Sequence, residues 1–271
     1  MTLMPEGAVV VKRLALASVA AVLVAGTLSS CVRLVENSSS DTSDITDGVA
    51  TVRIQNGAGN VRVRSAEGAS GTQVVRKLEY PKDADKPTGA THRLEGDVLV
   101  LDGCGSRCTA SYEVTVPSKD VKVTGENSSG DVALEGVASV DATFGSGNTT
   151  LRDVAGAVNV KNSSGDLVAS DIGGAFTGKL GSGNTRLSKM RGPVVVDDGS
   201  GDVDIELASP QSVNASAGSG NLTVRVPQGS YKVDADAGTG DKNLNGVKND
   251  PGASVELVLR TDSGDLTLRT A

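Results

Sequence analysis

The sequence predicts an all-β fold, a single-domain β-solenoid (β-helix) of about 18-residue coils. The first observation is a repeated marker, a small residue followed by Gly and then Asp or Asn. It reads Ser129-Gly130-Asp131, Ser146-Gly147-Asn148, Ser164-Gly165-Asp166, Ser182-Gly183-Asn184, Ser200-Gly201-Asp202, Ser219-Gly220-Asn221 and Thr239-Gly240-Asp241. The glycines step by 17, 18, 18, 18, 19 and 20 residues, and a fixed period near ~20 signals a repeat architecture. The second is the alternating apolar run after each marker, which has the period of a strand. The third is composition: aromatics are 2%, Trp is absent and Gly numbers 34, which suits strands joined by many turns. Gly-Asp and Gly-Asn also close hairpins, so an antiparallel meander or sandwich is the competing topology.

The length of 271 residues allows one or two domains, and the continuous repeat favours one. Net charge is −7; Glu6, Lys12 and Arg13 give residues 1–30 a charge of +1, so the remainder carries −8. An acidic chain with few aromatics has neither a phosphate-neutralising face nor base-stacking platforms, which argues against nucleic acid as a partner.

Lys12 and Arg13 precede an apolar run from Leu14 to Leu28. That run is shorter than the ~20 residues of a membrane-spanning helix and suits the core of a signal peptide. It ends in Leu28-Ser29-Ser30-Cys31, which resembles the lipobox of bacterial lipoproteins. The resemblance implies that residues 1–30 are removed and that Cys31 carries diacylglycerol, placing the chain on the extracytoplasmic face of the cell membrane. An ordinary signal peptide or an uncleaved anchor are the alternatives. Two or three acyl chains anchor stably where one is marginal. Residues 31–48, rich in Ser, Thr and Asp, read as a flexible tether, leaving 49–271 as the repeat domain.

Gly59-Asn60 and Gly96-Asp97 look like earlier markers, with intermediates lost. Tyr80–Thr91, with two prolines and no alternation, reads as an excursion loop. Cys104 and Cys108 are the cysteines left after Cys31. A cell-surface chain is expected to pair them as a disulfide. The rival is a redox or metal pair, but redox sites favour C-x-x-C and no His or third Cys is near.

Aligned on the marker glycine, inward columns appear. Two positions on stand Val132, Thr149, Leu167, Thr185, Val203 and Leu222; four on stand Leu134, Leu151, Ala169, Leu187, Ile205 and Val224. Seven on stand Val137, Val154, Ile172, Met190, Ala208 and Pro227, and a second run begins ten to twelve residues on. Each repeat is thus two short strands and two turns, and stacked coils bury the columns as one core. About eleven coils fit, on the order of 50 Å at strand spacing. With one repeat per coil the marker Asp and Asn side chains stack, and alternation separates like charges by about 10 Å, near one Debye length.

The marker run, the Cys104/Cys108 segment, the strand ending at Pro117 and the closing Ser-Gly-Asp-Leu-Thr-Leu (263–268) resemble the DUF4097 family of putative adhesins over residues 49–271. The resemblance implies a bacterial surface β-solenoid and carries over no catalytic residue.

His92 is the sole histidine and has no nucleophile elbow beside it. The densest acidic cluster, Asp197, Asp198, Asp202 and Asp204, is the candidate for Ca²⁺ or for an acid/base pair, against the reading of a solvated outer face. Phe144, Phe176 and Tyr231 fall in inward columns, so no aromatic platform for a glycan is offered. The expectation is a lipid-anchored adhesin-like or structural interaction module with no catalytic activity and no cofactor. Its partners are the membrane through the lipid and an envelope protein or glycan. A polysaccharide-acting enzyme and an envelope-stress accessory lipoprotein are the alternatives. Specificity is expected from Tyr80–Thr91, Cys104–Cys108 or Lys242–Ala253.

Overall fold

The structure, a computed structural model, describes residues 36–271; the signal segment and Cys31 lie outside the described residues. The strands, in chain order, are β1 (Glu36–Ile45), β2 (Thr51–Asn56), β3 (Val61–Ser65), β4 (Thr72–Pro81), β5 (His92–Glu95), β6 (Val98–Asp102), β7 (Thr109–Val116) and β8 (Lys122–Ser129). The regular section follows: β9 (Val132–Val137), β10 (Ser139–Ser146), β11 (Thr149–Val154), β12 (Val158–Ser164), β13 (Leu167–Ile172), β14 (Phe176–Ser182), β15 (Thr185–Met190) and β16 (Val194–Ser200). It closes with β17 (Val203–Leu207), β18 (Val213–Ser219), β19 (Leu222–Val226), β20 (Lys232–Asp236), β21 (Lys242–Asn245), β22 (Glu256–Ser263) and β23 (Leu266–Thr270).

These strands form two sheets. The first runs β1-β4-β7-β3-β9-β11-β13-β15-β17-β19-β23-β21, and the second β20-β22-β18-β16-β14-β12-β10-β8-β2-β6-β5. Setting aside β1 and β4 in the first sheet and β5 in the second leaves ten strands in each, hence ten coils. Pairing in the body is parallel and offset by one repeat, as in Thr149↔Leu167 and Val158↔Phe176. The fold is therefore the solenoid and not the meander. Antiparallel pairing enters only at the N-terminal cap, in β1–β4, β4–β7 and β5–β6.

The inward columns close over one hydrophobic core, from Val52 and Ile54 to Leu266 and Leu268. Phe144, Phe176 and Tyr231 are all buried in it. The seventh-position column needs correction in two coils. Gly136, Asp153, Asp171 and Lys189 take the left-handed conformation one residue before the column, with φ between 54° and 65°. That kink inserts one residue between the inward positions. The coil built on β17 lacks it, and the register shifts so that Leu207 pairs with Met190. Leu207 and Val226 are buried there, whereas Ala208 is exposed and Pro227 half-buried.

Both ends depart from simple sequence order. The β2/β3 coil lies inside the β6/β7 coil, and the chain-terminal β22/β23 coil slips between β18/β19 and β20/β21. Three further expectations are corrected here. Gly96-Asp97 is no coil marker: it is the two-residue turn of the β5–β6 hairpin, with Glu95 opposite Val98. The excursion loop begins after Pro81, because Tyr80 and Pro81 belong to β4. The tether does not extend to residue 48, because Glu36–Ile45 pairs along its whole length with Pro81–Thr72. Its Ser and Thr side chains tolerate an extended backbone. Arg76 and Gln73 of β4 hold Asp41 and Asp44 across the pair.

Candidate functional site

The marker turns make a continuous ridge. Each marker glycine from Gly130 to Gly220 has φ between 108° and 144°. A Cβ there would lie within 1.9–2.4 Å of the neighbouring coil's glycine carbonyl. Glycine is therefore required twice, for its backbone conformation and for close stacking. The following Asx side chain accepts the backbone N–H of the next Asx along the stack. The order is Asn60, Asp131, Asn148, Asp166, Asn184, Asp202, Asn221, Asp265 and Asp241, at 2.8–3.1 Å. The Asn/Asp alternation holds up to Asp265. It breaks at Asp241, which sits next to Asp265 because β22/β23 is inserted there.

Beneath the ridge runs a feature that the column reading missed. Asn56, Asn127 and Asn162 stand three residues before a marker glycine, are buried, and donate to turn carbonyls. Asn127 Nδ2 reaches the Gly59, Ser129 and Gly130 carbonyls at 3.2 Å each. In the cross-strand stack, Phe144 lies between Asn127 and Asn162, and Leu180 lies between Asn162 and Asp198. The signal was present as Asn at a fixed offset in alternate repeats, but a polar residue is ordinarily read as outward-facing.

Asp198 belongs to this column and is 2% exposed. Its carboxylate accepts from the Thr185 hydroxyl at 3.0 Å and the Ser200 N–H at 3.1 Å. Burial pushes its pKa up against those two hydrogen bonds, which pull it down, and Asp197 adds a smaller upward push. The other members of the acidic cluster point elsewhere. Asp197 lies on the outer face of the second sheet and accepts from Ser216. Asp202 is a rung of the ridge, and Asp204 is held by both guanidinium nitrogens of Arg225 on the outer face of the first sheet. The four carboxylates are not brought together as one cluster: Asp202 and Asp204 line one open depression, Asp197 faces out from the other sheet, and only buried Asp198 departs from the outer-face reading. Among the described residues no group of three or more His, Cys, Asp or Glu is arranged to hold a metal.

His92 opens β5, half-buried, with Nδ1 unpartnered among the described residues. Burial lowers its proton affinity first and the Arg76 charge second, while Asp41 opposes them.

Two of the three variable segments do meet. In the outermost β6/β7 coil the marker turn is replaced by Gly103–Cys108, closed by the Cys104–Cys108 disulfide with Cα atoms 5.5 Å apart. Arg107 reaches from it to both oxygens of Asp83 at 2.9 Å, tying it to the loop after β4. That contact holds the Asp83 carboxyl below the usual range. Beside the disulfide loop opens a groove of about 580 Å³, walled on the other side by the ends of β1 and β4, whose lining includes Glu36, Tyr80, Pro81, Cys104, Ser106 and Arg107. Hydrogen bonds tie the cap together behind the groove. Buried Tyr112 lies 2.6 Å from the Thr91 and Asp102 carbonyls, and Arg76 Nη1 donates to the Thr91 hydroxyl at 3.1 Å. The third segment is used differently. Asn249 Oδ1 accepts from Val233 N–H, Asp250 N–H donates to the Tyr231 carbonyl, and Lys242 Nζ donates to the Ala235 carbonyl. Lys242–Ala253 therefore covers the free edge of β20.

Two parallel sheets of stacked coils, with an irregular cap, define a β-solenoid. Residues 35–269 match the family described as Toastrack DUF4097, and the chain belongs to that family. Among solved structures, a putative adhesin from Bacteroides fragilis is similar at 14% identity and a TM-score of 0.52, covering 86% of this chain and 97% of that one. A putative adhesin from Parabacteroides merdae is similar at 9% identity and a TM-score of 0.32, over 86% and 96% of the two chains. No curated protein matches the chain.

Proposed function

We propose that the protein is a lipid-anchored, extracytoplasmic interaction module, adhesin-like and without catalytic activity, that recognises an envelope protein or glycan through its N-terminal cap groove. One observation carries the reading. The regular repeat is interrupted where the disulfide loop, tied through Arg107 to Asp83 of the segment after β4, faces the ends of β1 and β4 across a groove. The remaining marker and column positions serve turns and core. The separation of Asp197 and buried Asp198 from Asp202 and Asp204, which share an open depression on the first sheet, supports a binding role over glycan cleavage, and the acidic charge supports a partner other than nucleic acid. The Bacteroides fragilis protein of the same fold is described as a putative adhesin, which agrees with the role without naming a ligand.

Lipid on Cys31 would give the module a polarity. Glu36 is five residue steps beyond Cys31, and an extended chain spans at most ~3.6 Å per residue. An anchor there keeps Glu36, and the groove it lines, within about 18 Å of the bilayer surface. The partner would then be met close to the membrane.

The test is a photo-reactive residue at Ser106, in the groove, compared with one at Asn159, outward on the body of the second sheet. The proposal expects a discrete crosslinked species in intact envelopes from position 106 and none from 159. Equal labelling from both, or none from 106, contradicts it. Loss of turnover of an envelope glycan in Asp202→Ala would establish the enzyme instead.

A further inference from the structure

The four sheet edges of the described unit are β1, β21, β20 and β5. An open edge templates strand addition unless it is short, charged (with Lys above all), interrupted or covered. Three of these edges are protected. β5 and β21 have four residues each, and β20 is covered by Asn249, Asp250 and Lys242 as described above.

β1 is the least protected of the four, with acidic side chains as its only such device. It is ten residues long, about 33 Å at strand rise, and its register with β4 runs from Glu36↔Pro81 to Ile45↔Thr72 without a bulge. It contains no Pro, Gly, Lys or Arg, and no described residue pairs with its outer side. Its charges are Glu36, Asp41 and Asp44. Arg76 engages Asp41 from within the sheet, while Gln73 gives Asp44 an amide and no charge. Glu36 and Asp44 stand on the exposed face with Ser38, Ser40 and Thr42 between them.

We propose that the outer edge of β1 is a strand-addition site for an extended basic segment of a partner protein, which joins the first sheet as a further strand. Main-chain hydrogen bonds supply the affinity of such a contact, and side chains at alternate positions supply its specificity. Here the exposed alternate positions offer a carboxylate, three hydroxyls and a carboxylate, which fits Lys or Arg eight residues apart with small polar residues between. A second copy of this chain is the poorer occupant, since it would set an acid-only strand against an acid-only strand.

The proposal rests on the interaction-module reading and specifies a second contact surface for it. The test uses the full chain in detergent micelles and a ten-residue peptide of Thr and Ser with Lys at its first and ninth positions. Two controls accompany it: the same peptide with Glu for Lys, and the Lys peptide with every second amide N-methylated. The Lys peptide is expected to bind and to slow amide exchange at Glu36–Ile45. N-methylation should weaken it roughly tenfold or more, since it removes edge hydrogen bonds but no charge. The Glu peptide should not bind. Equal affinity of the N-methylated peptide, protection away from β1, or no binding at millimolar peptide overturns the proposal. Dimerisation that protects β1 without peptide assigns the edge to a second copy and also overturns it. Failure here alongside specific crosslinking from position 106 would remove the β1 site and leave the groove reading intact.

Discussion

At the residue scale, two positions carry local costs that can be measured. Asp198 occupies a column whose other buried polar members include Asn127 and Asn162, and burial raises its pKa. A group whose pKa is higher folded than unfolded contributes stability below its unfolded pKa and loses it as pH rises through the folded value. At neutral pH the buried carboxylate is therefore a cost. Asp198→Asn should raise stability at pH 7 by on the order of 1 kcal/mol, and the gain should shrink as pH falls through the folded pKa of Asp198. Denaturant unfolding at both pH values checks this; a constant difference would contradict it. Lys189 has φ 54°, a conformation that costs a side-chain-bearing residue roughly 1–2 kcal/mol. It also makes an exposed ion pair with Asp171 at 3.3 Å, and such pairs are worth little. Lys189→Gly should be stabilising by roughly 0.5–1 kcal/mol after glycine's greater unfolded-state entropy is counted, seen as a higher denaturation midpoint. Neither position was legible in the sequence. Asp198 read as outward because Asp ordinarily is, and a left-handed lysine has no sequence signature.

At the element scale, the ridge of marker turns sets the coil. Gly183→Ala would place Cβ 2.3 Å from the Gly165 carbonyl at φ 122°. The backbone must move or the stack must open, and the expected loss is at least about 3 kcal/mol. Gly89→Ala, with nothing within 4 Å, should change stability by no more than about 0.5 kcal/mol. Thermal unfolding of the two variants compares them directly, and equal effects would mean that the stacking is not what holds the coils. This part of the molecule was read well from sequence, because a turn glycine and an alternating strand repeat at a constant interval. The caps were read poorly. Gly96-Asp97 has marker chemistry but closes a hairpin, and Ser/Thr-rich β1 lacks the apolar alternation by which a strand is recognised. Both depend on partners distant in sequence.

At the scale of the whole molecule, the coils are stacked out of chain order at both ends. The Cys104–Cys108 groove terminates the stack at one end, and the Lys242–Ala253 cover at the other. Of the three segments expected to set specificity, the structure joins two and assigns the third to edge protection. No spacing in the sequence distinguishes those outcomes, since they arise from where β2/β3 and β22/β23 insert. The proposed membrane attachment would give this arrangement its biological sense, because it would decide which cap meets the bilayer and which partners are in reach. The most direct measurement is fractionation of Cys31→Ala beside the native chain, with acyl labelling of both. The account predicts that the native chain is labelled and pellets with membranes. The variant should lose the label, leave the membrane fraction and change mobility. A Cys31→Ala chain that stays in the membrane fraction with unchanged mobility would contradict it.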